Sequence, residues 1–464
     1  MKRRATRADL LFAAAETVRR VVVGPGAEAW AEPLRAAGVE VATEGPCELL
    51  VMARYDGAVA AAAGAATVLV ERPVSLRRLR RDGFVGQRYL PMPALDHPAL
   101  LLPLDRPRGA RYALLSLSAP PGRAKRLRNR VMAEATRFSV TPPGTLTIAT
   151  REPRPPRLVG AALELGLPDD LDWVLTLGRA TERGAFHLLT DGRSRPTWVL
   201  KFSRAPLAQV EPPTDAAGLG LVGALGGDAA ARAPRLLGVS EADGRPFVVE
   251  SAAAGADLVT VLRTAIPAKR KHALVDGVAS WLIELGRASL RSRAGDATLP
   301  DAQHIERSAA EFGVDRAVLA DRIASAPAVL EHGDAGLEHV LVDAASDDFV
   351  VIDWERARAD GLPFHDLCFF LAQALPTVDG EIDDPRYDRH EAFARLFRGD
   401  SPSSPLLFGW IRRAVAAWGI PEEAVAALVS TLWLRFAVVD VRRHFAEAWF
   451  ADPALGLDWS EWRG

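Results

Sequence analysis

Two short apolar runs separated by an acidic turn place the strongest constraint on how this chain folds. Residues 329–357 have the sequence VLEHGDAGLEHVLVDAASDDFVVIDWERA, in which HVLVD and FVVID have the length and β-branched content of strands. If they pair as an antiparallel hairpin with its turn centred near Ser346, residue 339 lies opposite residue 353. This pairing predicts that Asp334, His339 and Asp353 meet at one end of the hairpin.

Two carboxylates brought together in this way suit one particular chemistry. Asp334 lies on the loop before the first strand, and Asp353 faces it from the end of the second. A base and a metal ligand placed side by side are what phosphoryl transfer requires, because that reaction depends on positioning and on neutralising phosphate charge. The hairpin therefore favours a phosphotransferase.

The composition is that of a globular protein and excludes several classes of function. Of 464 residues, 49% are hydrophobic and 25% are charged, and the formal net charge is −2. This length predicts two or three domains, and the charge does not favour nucleic-acid binding. Only two cysteines occur, Cys47 and Cys368, which predicts a cytoplasmic protein without a disulfide framework.

No segment has the length and hydrophobicity of a membrane span. The N-terminal apolar run from Leu10 to Ala15 is followed by Glu16, and it is shorter than the roughly 7–15 residues of a signal peptide, so we expect an amphipathic first helix. The run AVAAAAGAATVLV is well below the roughly 20 apolar residues that cross a bilayer.

Residues 1–145 have the pattern of an α/β, Rossmann-like domain with a parallel sheet. The apolar runs VVV, VEVATEG, CELLVMA and ATVLVERP alternate with alanine-rich segments. Gly24 and Gly26 follow the first strand, where glycines let a ligand approach a helix N-terminus, and Glu40 or Glu44 is a candidate for contacting a ribose. LRRDGFVGQRYLPMP resembles the C-terminal part of methyltransferase-like domains. We expect a shortened methyltransferase-like scaffold without a cofactor.

Three further segments follow this first domain. The proline-rich residues 146–164 predict a linker. Residues 165–256 contain the apolar runs DWVLTLGRA, AFHLLTDG, TWVLKFSR and RPFVVES, which predict a strand-rich lobe. In residues 257–464 helical patterns dominate, apart from the hairpin.

The hairpin region resembles the aminoglycoside phosphotransferase and choline kinase family, whose fold is similar to that of the protein kinases. That family carries His-Gly-Asp, an Asn five positions later, and an Ile-Asp on the metal-binding strand. His332, Gly333, Asp334 and Asp353 match. The resemblance covers residues 165–450. It implies a bilobal α+β protein-kinase-like domain with a mostly helical C-lobe, and ATP with Mg²⁺, or Mn²⁺ as the alternative ion.

The resemblance also implies roles for individual residues. Asp334 corresponds to the catalytic base and Asp353 to the metal ligand. Asp366, in PFHDLCFF, matches the Asp-Leu segment that braces the catalytic loop, and His332 is a second structural support.

His339 departs from the family pattern, because the family has Asn there. Magnesium prefers oxygen ligands, whereas an imidazole suits softer transition metals. Three outcomes stay open: Asp353 holds the metal with phosphate oxygens and water, Glu338 or Glu355 contributes an oxygen, or catalysis is lost.

Lys201, in WVLKFSR, occupies the third strand of the strand-rich lobe, where the family carries a lysine for the α- and β-phosphates. Its acidic partner is expected on the next helix, and only Glu211 and Asp215 are candidates there. Glu211 precedes two prolines, and Asp215 is also a candidate helix N-cap.

The remaining nucleotide contacts are expected from two loops. Gly178, in LGRATERGAF, marks the phosphate loop, which lacks the G-x-G-x-x-G pattern. Glu250 and Ser251, in FVVESAAAG, resemble the hinge where backbone groups hold the adenine.

Acceptor recognition is expected from the C-terminal helices. An acidic run is either an attractive surface for a cationic acceptor or a solvated loop; it contains Asp379, Glu381, Asp383 and Asp384. The tryptophans of this region favour core packing over a stacking platform for sugars; they are Trp410, Trp418, Trp433 and Trp449.

The leading hypothesis is an ATP-dependent phosphotransferase that acts on a hydroxyl of a small molecule. One alternative is a pseudokinase scaffold that binds nucleotide weakly or not at all. Another is a methyltransferase whose kinase-like half binds the substrate. The sequence does not indicate the acceptor or the oligomeric state.

Overall fold

The structure is a computed structural model, and the chain divides into two compact units. The first comprises Met1–Pro213 and Leu236–Ala252, and the second comprises Thr214–Arg235 and Ala253–Gly464. The residues that the structure describes are 4–15, 17–117, 123–135, 141–178, 182–190, 193, 195–210, 212–292, 301–439 and 441–463.

A twelve-stranded sheet dominates the first unit. Its strands are β1 (Arg20–Val23), β2 (Glu40–Ala42), β3 (Leu49–Met52), β4 (Thr67–Val70), β5 (Val85–Met92), β6 (Leu100–Pro103), β7 (Leu146–Thr150), β8 (Asp172–Leu177), β9 (Arg183–Leu189), β10 (Trp198–Ser203), β11 (Leu236–Ala242) and β12 (Arg245–Ser251). The helices of this unit are α1 (Ala31–Ala36), α2 (Gly57–Ala62), α3 (Leu76–Arg81), α4 (Pro107–Tyr112), α5 (Arg123–Ala135) and α6 (Arg157–Leu163). The expected first helix is a 3-10 helix, Arg7–Ala13.

The strands lie in the order β11-β12-β10-β9-β8-β6-β5-β7-β4-β3-β1-β2. The predicted parallel pairing holds for β2-β1-β3-β4. Every residue of β3 and β4 is buried, as expected for parallel strands covered on both faces. On the other side of β4, from β7 to β11, each strand pairs antiparallel with its neighbour. The first domain is therefore mixed, and its methyltransferase-like character stays a prediction.

The segment predicted as a linker, residues 146–164, is structured. Its first five residues form β7, which pairs with both β4 and β5 and buries Leu146, Thr147, Ile148 and Ala149. Its helix α6 buries Leu158, Val159 and Ala162. The prolines between these elements misled the linker prediction.

The sheet also crosses the predicted boundary between residues 1–145 and 165–256. Leu100 and Leu101 of β6 pair with Thr176 and Leu175 of β8. We call this junction the β6–β8 seam.

An aromatic core runs underneath the β6–β8 seam. Tyr89 stacks on Trp173 at 5.3 Å between ring centroids, and Trp173 meets the Phe186 ring edge-on at 5.5 Å. Phe186 in turn stacks on Phe202 at 5.7 Å. The residues on the two sides of the seam therefore share one hydrophobic core.

Helices make up most of the described part of the second unit. They are α7 (Asp215–Leu225), α8 (Gly227–Ala231), α9 (Leu258–Leu262), α10 (Ala268–Ala288), α11 (Ala302–Phe312), α12 (Arg316–Ile323), α13 (His365–Val378), α14 (Arg389–Arg398), α15 (Ser404–Trp418), α16 (Glu422–Phe436) and α17 (Arg443–Ala451). Its short strands are β13 (Ala256–Asp257), β14 (Val329–Glu331), β15 (Val340–Val342), β16 (Phe349–Val351) and β17 (Arg358–Gly361). They form the sheets β13-β15-β16 and β14-β17.

The helices α7 and α8 belong to this unit, although the sequence grouped them with the strand-rich lobe. A Cβ on Gly218 of α7 would collide with the carbonyl oxygen of Trp354. The backbone N–H of Val351 donates to the Arg232 carbonyl at 2.7 Å. Both contacts tie these helices to the hairpin region.

The expectation that the tryptophans pack in the core is confirmed. The four tryptophans are 0–5% exposed: Trp410, Trp418, Trp433 and Trp449. In the part of the chain that the structure describes, no single helix is long and apolar enough to cross a membrane, although α15 and α16 together pass on length and composition alone, with a 115° bend between them.

A buried charge cluster lies behind β14. Arg435 of α16 pairs with Glu331, and its Nε lies 2.6 Å from Asp301 Oδ2. Nδ1 of His365 lies 3.5 Å from Glu331 Oε2. Burial alone would raise the pKa of Glu331, but Arg435 and His365 hold it below its ordinary value.

The shared core of the first unit predicts a large loss of stability on truncating Trp173. Trp173→Ala should lower the free energy of unfolding by about 3–5 kcal/mol, the usual cost of removing a buried aromatic ring. Val239→Ala, on a half-exposed position of β11, should change it by less than about 0.5 kcal/mol. Urea unfolding followed by circular dichroism measures both. A Trp173→Ala effect as small as that of the control would contradict a core shared across the seam.

Removing Arg435 should leave Glu331 buried without its main partner. Arg435→Met is expected to destabilise the protein by about 3–5 kcal/mol near pH 7. Arg287→Met, which breaks an exposed pair with Glu284, should cost less than about 1 kcal/mol.

The dependence of this loss on pH has a definite sign. Because the folded-state pKa of Glu331 is depressed, its stabilisation is present above the ordinary carboxyl range, about pH 4, and is lost as the pH falls below it. The difference between wild type and Arg435→Met should therefore shrink on acidification. A stability difference that grows on acidification would contradict the assignment of Arg435 as the main partner of Glu331.

Candidate functional site

The predicted hairpin is present, but its register differs by one residue from the prediction. Val340 pairs with Val351 and Leu341 with Val350, so the His339 carbonyl accepts from the N–H of Ile352 at 2.8 Å. The prediction that residue 339 lies opposite residue 353 is wrong. The turn is tighter than expected, because Asp347 adopts a left-handed conformation with φ of 60°.

Asp353 nevertheless lies next to His339. Its backbone is left-handed, with φ of 70° and ψ of 57°, which turns the chain back towards the first strand. The Oδ2 atom of Asp353 is 3.6 Å from Nε2 of His339. A strained backbone at such a residue is often a mark of a functional site.

Hydrogen bonding fixes the orientation of His339. Its Nδ1 lies 2.7 Å from the backbone carbonyl of Asp334, and a carbonyl can only accept, so Nδ1 carries the hydrogen. In the neutral ring Nε2 then presents a lone pair towards the Asp353 carboxylate. A cation between these two acceptor atoms would satisfy both.

His332 joins the loop of Asp334 to the end of β16. Its Nδ1 accepts from the backbone N–H of Asp334 at 3.2 Å, and its Nε2 donates to the Ile352 carbonyl at 2.9 Å. Burial, with a further contribution from His339, lowers the pKa of His332 to about 4. The imidazole is therefore neutral near pH 7, as its accepting Nδ1 requires.

Asp366 and Gly333 shape the same loop. The two carboxylate oxygens of Asp366 accept from the backbone N–H groups of His332, at 2.6 Å, and Gly333, at 3.0 Å. Burial and the nearby Glu331 raise the pKa of Asp366, against these two donors, which lower it. Gly333 has φ of 80°, and a Cβ there would lie 2.7 Å from the Arg356 carbonyl oxygen, so only glycine fits.

The carboxylate of Asp334 is buried and ion-paired. Arg442, just before α17, pairs with its Oδ1, and Arg356 Nε lies 3.9 Å from its Oδ2. The Arg442 guanidinium carbon lies 4.5 Å from the Phe369 ring centroid and 4.9 Å from that of Phe436. The contact between Arg442 and Asp334 was not predicted, because no local sequence pattern links residues this far apart in the chain.

Two donor atoms, His339 Nε2 and Asp353 Oδ2, lie at a separation that one divalent cation spans. Ligands bound at about 2.0–2.2 Å to one ion lie roughly 3–3.6 Å apart, so their 3.6 Å separation fits a shared ion. Among the described residues, no group of three or more His, Cys, Asp or Glu side chains forms a metal site. The geometry therefore does not support Glu338 or Glu355 as a third ligand.

Lys201 has an acidic partner within its own sheet. Its Nζ lies 2.9 Å from Oε1 of Glu250 on the adjacent strand β12, and the Glu250 side chain is only 5% exposed. The Glu250 side chain therefore holds Lys201, and the assignment of its backbone to the hinge stays a prediction. Asp215 is the first residue of α7, and Glu211 lies outside the described residues.

The predicted phosphate loop is described only in part. Gly178 directly follows β8 and donates its N–H to the Arg183 carbonyl at 3.1 Å, whereas residues 179–181 lie outside the described part. The absence of a side chain at Gly184 has a packing reason, because a Cβ there would collide with the Phe202 ring. Ser251 is the last residue of β12.

A glutamate side chain two residues further along caps the glycine turn after β1. The N–H of Gly26 donates to Oε1 of Glu28 at 2.8 Å. A carboxylate thus occupies a donor that a phosphate would use. Glu40, a candidate for contacting a ribose, pairs with Arg20 at 3.3 Å.

Arginines and a serine engage the acidic run of the C-terminal region. The contacts are Asp379 with Ser403 at 2.9 Å, Glu381 with Arg395 at 3.0 Å, Asp383 with Arg263 at 2.6 Å and Asp384 with Arg386 at 3.4 Å. Because arginines compensate three of its four charges, this run is better described as an ion-paired surface than as a cation-binding one.

Solved structures overlap only partly with this chain. A candidate aminoglycoside phosphotransferase from Ralstonia eutropha JMP134 is 13% identical, with a TM-score of 0.38 over 61% of this chain and 91% of the other. APH(3″)-Id from Streptomyces rimosus ATCC10970 is 16% identical, with a TM-score of 0.33 over 59% and 96%. An aminoglycoside-3′-phosphotransferase of type VIII is 18% identical, with a TM-score of 0.33 over 58% and 96%.

The similarity to a known family lies in one segment of the sequence. No curated protein matches the chain. The model of the APH phosphotransferase enzyme family matches residues 177–399, a segment that contains Lys201, Asp334 and Asp353. Residues 177–399 of this chain are therefore similar to the phosphotransferase enzyme family.

Proposed function

We propose that this chain is an ATP-dependent phosphotransferase that acts on a hydroxyl of a small molecule. The observation that carries this proposal is the placement of two carboxylates on either side of His339. Asp334 Oδ1 lies 3.9 Å from His339 Nδ1, and Asp353 Oδ2 lies 3.6 Å from Nε2. A base and a metal ligand at this spacing suit the transfer of a phosphoryl group, and the family match supports the reaction class.

Asp334 is the group that orients the acceptor hydroxyl and takes its proton. A general base must lie within hydrogen-bond reach of the proton that it removes. The bonds from His332 and Asp366 hold the backbone of this loop, so the carboxylate keeps one position while the acceptor binds.

Asp353 and His339 hold a divalent cation, Mg²⁺ or Mn²⁺, and the nitrogen donor favours Mn²⁺. Bound there, the ion supplies positive charge to the phosphate oxygens. Lys201 adds a second positive charge for the phosphates of ATP, and Glu250 fixes its ammonium group. Both cysteines are free thiols, which supports a reducing, cytoplasmic location.

A nucleotide-binding scaffold without catalysis is the second candidate. The ion pair between Arg442 and Asp334 favours it, because an arginine on the carboxylate competes with the acceptor hydroxyl. A methyltransferase is a weaker candidate, since Glu28 occupies the donor of the glycine turn.

Asp334→Asn should abolish the transfer of phosphate from ATP. An amide cannot accept the hydroxyl proton, and losing a general base costs about 10²–10⁴-fold in rate. Coupled ATP-consumption assays with a panel of hydroxylated metabolites, in Mg²⁺ and Mn²⁺, measure this. Asp348→Asn, an exposed residue in the turn of the same hairpin, is the matched control and should keep wild-type turnover.

Two outcomes would contradict the enzyme assignment. Equal turnover by Asp334→Asn and wild type would remove Asp334 from catalysis. Thermal stabilisation of the wild type by ATP without any turnover would support the scaffold instead.

His339→Asn should change the preferred metal. Replacing the imidazole nitrogen by an amide oxygen should weaken Mn²⁺ binding by about tenfold relative to Mg²⁺. Electron paramagnetic resonance of Mn²⁺ titrations reads the affinity directly, without turnover. Glu355→Gln, in the adjacent turn, should bind Mn²⁺ as the wild type does. An unchanged Mn²⁺ affinity in His339→Asn would show that this side chain is not a ligand.

A further inference from the structure

A cavity of about 440 Å³ lies within the second unit, beside the Asp334 loop. Leu337 and Glu338 line it from that loop, and Arg442, the partner of Asp334, lines it from the other side. Arg442 therefore contacts both the cavity and the Asp334 carboxylate.

The body of the cavity is aromatic and apolar. Four rings contribute to its walls: Phe369, Tyr387, Phe393 and Phe445. The neighbouring Pro376 and Ile382 extend this apolar surface. Such walls suit a flat, largely apolar molecule.

The polar groups of the cavity are predominantly cationic. Its described lining contains Arg263, Arg389 and Arg442, and Glu338 is the one carboxylate among these lining residues. Burial, followed by the charges of Arg389 and His390, lowers the pKa of the lining residue His444 to about 4. Near pH 7 this ring is neutral, so the charged groups of the lining are three arginines and Glu338.

The three arginines differ in the partners that they already bind. Among the described residues, no carboxylate lies within ion-pair distance of the exposed Arg389. The Nη1 atom of Arg442 is buried without a hydrogen-bond partner in the part of the chain that the structure describes. By contrast, Arg263 already holds Asp383 at 2.6 Å. A planar guanidinium with free N–H groups matches a carboxylate.

We propose that this cavity is the acceptor site and that it selects an anionic molecule, a hydroxylated compound with a carboxylate on a flat apolar body. Its role as the acceptor site rests on the proposed phosphotransferase function, whereas its selectivity for anions rests on the cavity alone. The carboxylate binds Arg389 and the part of the Arg442 guanidinium that lines the cavity. Since Arg442 also contacts Asp334, an anion held there places the rest of the acceptor beside the base.

This selectivity is the opposite of the one expected from the acidic run. A cationic acceptor would meet Arg389 and Arg442 at the cavity wall, where like charges repel. Asp379, Glu381 and Asp383 lie nearby in sequence but are already bonded to Ser403, Arg395 and Arg263.

Three probes of matched shape test the charge preference on the full-length protein. They are 4-(hydroxymethyl)benzoate, 4-(hydroxymethyl)benzamide and 4-(hydroxymethyl)benzylamine, which share a ring and a primary alcohol and carry charges of about −1, 0 and +1. Isothermal titration calorimetry without nucleotide should rank the benzoate tightest and the amine weakest. An amine that binds at least as tightly as the benzoate, or no binding by any probe, overturns the proposal.

Substitution of Arg389 tests where the carboxylate binds. Arg389→Gln should weaken binding of the benzoate by about tenfold and leave binding of the benzamide unchanged, because only the charged group loses its partner. Unchanged benzamide binding also shows that the variant is folded. The control Arg386→Gln removes a neighbouring, 90% exposed arginine that does not line the cavity, and should not alter either affinity. Equal weakening of both probes by Arg389→Gln would overturn the carboxylate assignment.

A separate assay with ATP and metal distinguishes this inference from the proposed function. Charge-selective binding without phosphate transfer to any acceptor would sustain the anion site and remove the phosphotransferase. Phosphate transfer to other acceptors, with no preference for the benzoate, would sustain the phosphotransferase and remove the anion site.

Discussion

The geometry of the candidate site depends on the neutral imidazole of His332. One ring nitrogen accepts the N–H of Asp334 and the other donates to the carbonyl of Ile352, so a single buried side chain joins the loop to the strand end. Only a neutral ring has the lone pair for the first bond, and burial favours that form by lowering the pKa to about 4. Together with the bond from His339 to the Asp334 carbonyl, this bridge fixes Asp334 relative to Asp353.

Much of this site follows from local sequence patterns. Two apolar runs around an acidic turn are sufficient to predict a hairpin and to bring His339 towards Asp353. The register could not be predicted, because it depends on the left-handed conformation of Asp347, which the residue type permits but does not require. Arg442 could not be found either, since its contact with Asp334 depends on how the C-terminal helices pack.

The fold of the first unit shows a different limit. Its individual strands were predictable from runs of β-branched residues, but the order of the strands was not. The prolines around β7 suggested a linker, although four of the five residues of that strand are buried and the strand completes the sheet between β4 and β5. The pairing of Lys201 with Glu250 was accessible in principle, because both lie on strands that the sequence identified. The acidic partner of Lys201 was expected on a helix, whereas it lies on the neighbouring strand.

The position of Arg442 between two aromatic rings has a consequence for its response to ionic strength. Its guanidinium lies against the faces of Phe369 and Phe436, and its side chain is only 13% exposed. Mobile ions screen charges that they can surround, over about 8 Å at physiological ionic strength, but they have little access to a group enclosed by hydrocarbon. The attraction between Arg442 and Asp334 therefore changes little as salt is added. By contrast, screening weakens exposed pairs such as Arg386 with Asp384.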